Sequence, residues 1–360
     1  EFSCKTGPIS PLCFPNMSEQ TQGKSVDVDN PKVYLIAAVL GAGVGLISIG
    51  FLFAVKTAKE LIWTSELERI SPVVVLSICV VGGLFVGVLN QLVEKSSLEQ
   101  VNWEKLEFGK TFSDHMFLME YSNGEWHSGK IMPFQEIPMH PAMSALHYGQ
   151  SIFEGLKAYR TKDGEVNIFR PDQNAHRFAE SAERMCMPVV PEDLFIASIK
   201  ALINIDRNWV PDQDGYSLYI RPFMFATDAM VGIKPSDTYK FMILTSPVGM
   251  YYGEPVRVKI EEFYTRAAVG GVGRAKAAGN YGASLYPAKQ CQLAGFHQLV
   301  WTDAKEHKYI EESGTMNIIF QIGGKLVTPS EDADTILRGI TKKTVLEIAR
   351  NWGVEVEERQ

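Results

Sequence analysis

The sequence predicts an α/β fold in which short strands alternate with amphipathic helices. The chain has 360 residues, which is a length typical of about two domains. Short runs of alternating polarity, separated by turn residues, begin at Leu98 and predict strands. Apolar residues recur at helical spacing over residues 172–182 and 342–352, so these two segments predict helices that each bury one face.

Composition limits the function classes that fit this chain. Hydrophobic residues make up 46% and charged residues 21%, which is typical of a folded protein. The net charge of −7 argues against a nucleic-acid partner. The five cysteines are scattered and form no C-x-x-C pair, which argues against a disulfide framework or a zinc site and favours a reducing compartment.

The first part of the chain differs sharply from the rest. Residues 1–32 are rich in Pro, Ser, Asn and Gln and predict a disordered leader. The apolar runs 33–55 and 72–93 each match the roughly 20 residues that cross a bilayer core. We therefore expect residues 33–95 to form a transmembrane helical hairpin, with buried core helices as the alternative.

One stretch within this hairpin carries a resemblance of its own. Residues 82–89, Gly-Gly-Leu-Phe-Val-Gly-Val-Leu, resemble the first helices of chloride-channel-type membrane proteins. Two helices cannot enclose a transport pathway, so we expect this segment to act as an anchor or to be unrelated to the remainder.

Glycines and alanines crowd a single lysine, Lys276, within residues 269–282. Glycine permits close approach of the backbone, so a bulky ligand could lie against this lysine. A lysine in a dry pocket loses its proton more easily and becomes a nucleophilic amine. The competing interpretation is a mobile glycine-rich surface loop or a phosphate-binding nest.

A second block follows at residues 311–317, Glu-Glu-Ser-Gly-Thr-Met-Asn, directly before an apolar strand. Together the two blocks resemble the class IV pyridoxal-phosphate aminotransferases, and most closely the branched-chain amino acid aminotransferases. The resemblance covers about residues 98–360 and implies a fold type IV enzyme that uses pyridoxal 5′-phosphate. It further implies that Lys276 forms the Schiff base with the cofactor and that Glu312 meets the pyridine nitrogen. A carboxylate suits that task because a protonated ring accepts electrons from the substrate Cα.

The resemblance also implies a domain layout and the remaining cofactor contacts. An α+β small domain is expected over residues 98–250 and a larger α/β cofactor domain over residues 251–360. The cofactor contacts expected besides Lys276 and Glu312 are Arg177, Tyr281, Leu337, Gly339, Ile340 and Thr341. For Arg177 the alternative is a solvated helix arginine, and for Thr341 it is a simple helix N-cap.

A further block, His147 to Tyr159, resembles the family's segment H-Y-x-x-x-x-F-E-G-x-K-A. Over residues 217–223, strand alternation places Tyr219 and Arg221 on one side, which favours a wall that binds a carboxylate. The substrate-binding residues implied by the resemblance are Tyr148, Phe153, Gly155, Tyr219, Arg221 and Tyr251. Tyr148 is expected to reach the partner subunit's site in a dimer, and the alternative for the aromatic residues is core packing.

The last residues, 354–360, have the pattern of a strand. Family members continue with a sheet, a helix and a Gly-Thr-Ala loop that contacts the phosphate and the substrate α-carboxylate. The 360 residues contain no such loop, so the resemblance implies a C-terminally truncated member that binds its cofactor weakly.

The predicted activity is transamination between branched-chain L-amino acids and 2-oxoglutarate, in a homodimer or larger oligomer. One alternative is another fold type IV enzyme, either a D-amino acid aminotransferase or an aminodeoxychorismate lyase. Another alternative is a membrane transport fragment that carries a passenger domain. The expected location is the cytoplasm, with tethering to the membrane through the hairpin.

Overall fold

The computed structural model of the protein describes residues 96–250 and 254–360. The predicted leader, the predicted transmembrane hairpin and Tyr251 lie outside the described residues. Among the described residues, none of the helices combines the length and the apolar character that crossing a membrane requires.

One eight-stranded antiparallel sheet occupies the first half of the described chain, with the strand order β2-β1-β8-β7-β5-β6, β3 on β1 and β4 on β7. Its strands are β1 (His115–Ser122), β2 (Glu125–Trp126), β3 (Lys130–Pro133), β4 (Ser151–Phe153), β5 (Leu156–Arg160), β6 (Val166–Ile168), β7 (Ser217–Ala226) and β8 (Tyr239–Val248). The turn Ser-Asn-Gly-Glu at residues 122–125, between two short runs of strand pattern, predicts a hairpin, and β1–β2 confirms it. Asn123 and Gly124 make its two-residue turn, both with positive φ, as a tight hairpin requires.

Helices α2 (Pro171–Arg184) and α3 (Glu192–Ile205) cover one face of this sheet. The short helix α1 (Ser144–Tyr148) precedes them in the chain, and short 3-10 helices lie at Leu98–Gln100, Trp103–Lys105 and Arg207–Trp209. The predicted apolar face of α2 is confirmed, since Ala175, Phe178 and Ala182 pack in the main core. Strand alternation sends Leu218 and Ile220 of β7 into the same core. The residues between and beyond them therefore face away from the helices.

Two smaller sheets form the second half, each with a helical crossover. Their strands are β9 (Val258–Glu261), β10 (Gln298–Thr302), β11 (Ile310–Ser313), β12 (Phe320–Ile322), β13 (Lys325–Thr328) and β14 (Val356–Glu358), and their helices are α4 (Ala278–Leu293) and α5 (Ile340–Asn351). Strand β9 runs parallel to β10, and β13 runs parallel to β14. Helix α4 connects the first parallel pair and α5 connects the second, as parallel pairing requires.

Helix α4 differs from its prediction. The sequence predicts an amphipathic helix over 284–294, but α4 begins at Ala278 and has no apolar stripe, with only Pro287 and Cys291 buried. The early start has a local cause, because the Asn280 side-chain amide donates to the carbonyl oxygens of Val272 and Ala275. This bonding holds the glycine-rich turn against the helix, where intrinsic propensity alone favours a loop.

The aromatic core gives a test of the fold. Phe241 of β8 is fully buried and packs against the rings of Phe178 and Phe195. We expect Phe241→Ala to lower the free energy of unfolding by about 3–5 kcal/mol in urea titrations. The control is Phe263→Ala, because Phe263 is 77% exposed and should change stability by less than about 0.5 kcal/mol. Equal effects of the two substitutions would contradict this account of the core.

Candidate active site

Lys276 lies in an extended segment just before α4 and is fixed on both sides. Its backbone N–H donates to Ser181 Oγ at 3.0 Å, which ties it to α2. Its carbonyl oxygen accepts from the Phe153 N–H at 3.1 Å, which ties it to β4. The lysine backbone is thus anchored to the large sheet and to the helical layer, so the side chain leaves from a rigid base.

The amine of Lys276 is held by aromatic side chains. Its Nζ lies 2.9 Å from the hydroxyl of Tyr281 and 4.7 Å from the ring centroid of Phe153. Burial lowers the pKa of Lys276 to about 8, with Glu154 acting in the opposite direction and Arg177 in the same direction as burial. Burial raises the pKa of Tyr281 to about 12, so this phenol keeps its proton at neutral pH. The amine is therefore partly deprotonated while its neighbour stays neutral.

Lys276 stands at the boundary of two cavities. The first cavity has a volume of about 530 Å³ and is lined by Arg177 and by the start of α5. The second cavity has a volume of about 870 Å³ and is lined by Phe153, Tyr219 and Arg221. The side chain of Lys276 lines both cavities, so its amine is accessible from each.

The first cavity contains the N-terminus of α5. The residues predicted to contact the cofactor there, Leu337, Gly339, Ile340 and Thr341, all line it. Gly339 is the N-cap of α5 and Thr341 lies inside the first turn, so the alternative of Thr341 as the N-cap is wrong. A Cβ atom at Gly339 would overlap Asn317 Oδ1, so a larger residue here would displace the Asn317 side chain. N–H groups at a helix start favour an anion.

Arg177 lines the same cavity and is largely buried, so the alternative of a solvated helix arginine is wrong. Its Nε and Nη2 donate to the two carboxylate oxygens of Glu154 at 2.7 and 2.8 Å. Its Nη1 donates to the carbonyl oxygen of Arg338 at 3.0 Å. Burial opposes the charged form, but the paired Glu154 carboxylate raises the pKa of Arg177 above its ordinary value. The guanidinium is therefore a fixed cation in the cavity wall.

Glu312 is a buried carboxylate in strand β11. Its Oε1 accepts from the Leu337 N–H at 3.0 Å and from the Asn317 amide at 3.1 Å. Its Oε2 lies 2.7 Å from Arg266 Nε. Burial raises the pKa of Glu312 to about 7, while Arg266 acts in the opposite direction. The sequence also predicts a solvated acidic turn at Glu311, but Glu311 is buried too and accepts a hydrogen bond from Thr335. Adjacent side chains of β11 point to opposite faces, so both faces of this strand are covered here.

The second cavity is bounded by the face of β7 that points away from the helices. Arg221 donates to the Tyr219 hydroxyl from Nη2 at 2.9 Å and stacks over the Phe153 ring at 4.5 Å. Gly155 contacts the Tyr219 phenol so closely that a Cβ atom there would overlap its hydroxyl oxygen. The predicted residues Phe153, Tyr219 and Arg221 thus form one wall of this cavity, with a cation available to an anionic ligand. Gly155 lines the first cavity instead and lies directly behind the Tyr219 phenol.

Besides Gly155, two of the predicted substrate residues are not among the described residues that line this cavity. Tyr148 ends α1, is 42% exposed and does not line either cavity. Tyr251 lies outside the described residues.

Sequence reasoning missed the residues that hold the site residues in place. These are Glu154 and Asn174 behind Arg177, Arg266 and Asn317 around Glu312, Ser181 under Lys276, and Lys157, which lines both cavities. Glu154, Asn317 and Lys157 occur inside the quoted motifs. Their charged or amide side chains, close in sequence to site residues, could therefore have identified them. Arg266 and Ser181 carry no local pattern, and only the three-dimensional contacts reveal them.

The donor set fits a phosphorylated pyridine aldehyde. The partly deprotonated amine of Lys276 can condense with a carbonyl carbon. Arg177 and the start of α5 provide a cation and N–H donors for a phosphate. Glu312, held by two hydrogen-bond donors and paired with Arg266, offers a carboxylate for a ring nitrogen. Lys276, Arg177 and the start of α5 line the first cavity, whereas Glu312 lines a small neighbouring cavity together with Tyr281 and Leu337.

The chain resembles known proteins over most of its length. The profile of the family described as Amino-transferase class IV matches residues 151–360. The branched-chain-amino-acid transaminase 1 of Bacillus subtilis is 46% identical over 281 residues, which are 76% of this chain and 79% of that protein. A probable branched-chain-amino-acid aminotransferase of Staphylococcus aureus is 47% identical over 267 residues, covering 73% and 74%.

Solved structures agree with these sequence matches. The branched-chain amino acid aminotransferase from Escherichia coli is 27% identical, with a TM-score of 0.55, and the match covers 68% of this chain and 76% of that one. A T.th. branched-chain amino acid aminotransferase with pyridoxamine 5′-phosphate has the same identity of 27% and TM-score of 0.55, covering 67% and 76%. Because the profile spans more than half of the sequence and the relatives exceed 40% identity, the chain belongs to the class IV aminotransferase family.

Proposed function

We propose that the protein is a branched-chain-amino-acid transaminase that converts L-leucine and 2-oxoglutarate into 4-methyl-2-oxopentanoate and L-glutamate. Isoleucine and valine are the other amino donors. One observation carries the proposal: the Lys276 amine, with its lowered pKa, is accessible from both an anion-binding cavity and an aromatic cavity that contains a cation. The relatives of known name act on the same class of amino acid.

The cofactor is pyridoxal 5′-phosphate, which class IV aminotransferases use. When bound, it supplies an aldehyde that condenses with amines and a ring that accepts electrons from the substrate Cα. We propose that Lys276 holds the aldehyde carbon, Arg177 and the start of α5 hold the phosphate, and Glu312 holds the ring nitrogen.

Lys276 transfers the proton of the substrate Cα. The Lys276 amine takes up the proton that leaves the substrate Cα and later releases it, which is general acid–base catalysis by one group. A pKa near 8 suits both tasks, because the amine exchanges protons readily at neutral pH. The Tyr281 hydroxyl, 2.9 Å away, keeps the amine in place between these steps.

The second cavity explains how two different substrates share one site. The ring of Phe153 offers an apolar surface to a branched side chain. Arg221, stacked over that ring, offers a charge to the side-chain carboxylate of glutamate or 2-oxoglutarate. Discrimination among leucine, isoleucine and valine should be slight, because one methylene contributes only about 1–3 kcal/mol.

We also propose that the enzyme is a homodimer and works in the cytoplasm. Tyr148 and Leu146 on α1 are large and exposed, and neither lines the first or the second cavity of the same subunit. This is expected if Tyr148 reaches the partner subunit's site. The two cysteines among the described residues, Cys186 and Cys291, are free thiols, which fits a reducing compartment.

Removal of the Lys276 amine tests the proposed function. We expect the purified protein with pyridoxal 5′-phosphate to form glutamate from L-leucine and 2-oxoglutarate, and Lys276→Met to reduce the rate by at least about 10³-fold. Borohydride reduction followed by peptide mapping should label Lys276 in the unsubstituted protein. Turnover of D-alanine but not of L-leucine, or an unlabelled Lys276, would reject the proposal.

Substitution of Arg221 separates the two classes of substrate. We expect Arg221→Met to lower kcat/KM for 2-oxoglutarate about 10- to 100-fold, because a charge-assisted contact is lost, and to change kcat/KM for leucine less than about threefold. The control is Arg170→Met, since Arg170 bonds to Thr344 and lines neither cavity. An equal loss for both substrates would contradict the role given to Arg221.

The lowered pKa of Lys276 gives a pH test in the cofactor-free protein. At pH 7 a pKa near 8 leaves roughly one amine in ten deprotonated, against fewer than one in a thousand for an ordinary lysine. The rate at which an amine-selective reagent modifies Lys276 should therefore rise with pH to a midpoint near 8. Peptide mapping must separate Lys276 from Lys157, because burial also lowers the pKa of Lys157. A midpoint above 10 for Lys276 would show that the pocket does not desolvate the amine.

A further inference from the structure

Glu154 is a fully buried carboxylate at the turn between β4 and β5, with an exposed fraction of 0%. Both of its oxygens are engaged. Oε1 accepts from Arg177 Nε at 2.7 Å. Oε2 accepts from Arg177 Nη2 at 2.8 Å, from the Asn174 amide at 2.7 Å and from the Gly155 N–H at 3.1 Å. Every side chain or backbone group that it contacts in this way borders the first cavity.

The bidentate pairing restricts Arg177 in a specific way. A guanidinium is a planar fork with five N–H donors, so fixing two of its nitrogens fixes the plane of the whole group. The third nitrogen, Nη1, donates to the Arg338 carbonyl oxygen in the segment that precedes α5. The plane of Arg177 is thus fixed by the turn between β4 and β5 on one side and by the segment before α5 on the other.

Charge supplies a second reason for this pairing. A buried guanidinium without a counterion carries a large desolvation penalty. In the absence of a bound phosphate, a neighbouring carboxylate offsets this penalty. Glu154 fills this place, and Asn174 and the Gly155 N–H satisfy its remaining lone pairs. Pre-organisation of this kind lowers the cost of ordering the site when the anion binds.

We propose that Glu154 is a positioning residue that orients Arg177 toward the cofactor phosphate and so determines how strongly the protein distinguishes a phosphorylated from an unphosphorylated pyridoxal. The inference rests on the cofactor assigned under the proposed function. It adds a role for a residue that does not itself touch the phosphate.

Glu154 also influences Lys276, which gives an independent readout. Its negative charge favours the protonated amine, and Arg177 opposes this effect. Removal of the Glu154 charge should therefore lower the pKa of Lys276 below its present value of about 8. This midpoint reports the charge of Glu154 separately from its hydrogen bonds to Arg177.

The test compares the binding of pyridoxal 5′-phosphate and pyridoxal to cofactor-free protein. In both cases the Lys276 amine condenses with the aldehyde, a C=N bond forms and one water leaves, so absorbance reports binding without turnover. We expect Glu154→Gln to reduce the preference for the phosphorylated aldehyde at least about tenfold, because a glutamine amide has a single acceptor oxygen and cannot reproduce the two-oxygen pairing with Arg177 Nε and Nη2. The dissociation constant of pyridoxal should change less than about threefold.

Three further variants make the result specific. Arg177→Met should remove most of the preference, and Glu154→Gln added to it should change the preference less than twofold. Glu154→Asp keeps the charge but shortens the side chain, so it should lower the preference about threefold and leave the Lys276 pH midpoint in place. The matched control is Glu261→Gln, a buried carboxylate that accepts from the Phe263 and Tyr264 N–H groups and lines neither cavity.

Several outcomes would overturn the inference. These are an unchanged preference in Glu154→Gln, an equal loss of preference in Glu261→Gln, or equal weakening of both aldehydes. If Glu154→Gln does not fold, an unchanged preference in Glu154→Asp overturns it instead. The binding comparison needs no amino donor, so failure to transaminate leucine would reject the proposed function while the role of Glu154 could still be measured.

Discussion

Desolvation of one amine is the constraint on which the rest of the site depends. Tyr281 and Phe153 contact the Lys276 amine and reduce its exposure to water, and hydrogen bonds from its backbone to α2 and β4 fix the direction of the side chain. A flexible loop would let the amine turn toward solvent and regain its proton. The two hydrogen bonds to the Lys276 backbone therefore matter as much for reactivity as the contacts of the amine itself.

The two cavities beside this amine have different chemical linings. One contains a fixed cation and the start of a helix, and the other contains an aromatic ring with an arginine stacked over it. Each structural half contributes to the first cavity, since Arg177 comes from α2 and Gly339 from the start of α5. A ligand that fills this cavity contacts both halves at once, and so adds to the stability of their packing.

The sequence predicted the elements with strong local signals and missed those that depend on distant partners. The β1–β2 hairpin followed from Asn123-Gly124, and the buried face of α2 followed from apolar spacing. Helix α4 was placed too late, because the bonds that Asn280 makes to Val272 and Ala275 outweigh the glycine content of the turn.

The site residues show the same division. Motif blocks pointed to Lys276, Arg177 and the turn before α5, all of which the structure gathers around the first cavity. The blocks could not reveal Arg266, which reaches Glu312 across 46 positions of the chain and has no pattern around it. The sequence also did not predict the burial of Glu311, since a short acidic run is usually solvated. In the structure both faces of strand β11 are covered, so Glu311 and Glu312 are both buried.

Strand alternation in β7 has a consequence for how the protein can fail. Tyr219 and Arg221 face the second cavity only because Leu218 and Ile220 face the core. A slip of one residue between β7 and its neighbours would exchange these two sets completely. Such a chain would bury an arginine in the hydrophobic layer and would not complete its fold. The register of β7 therefore determines both the core and the wall of the second cavity, so a molecule with the correct core also has Tyr219 and Arg221 facing that cavity.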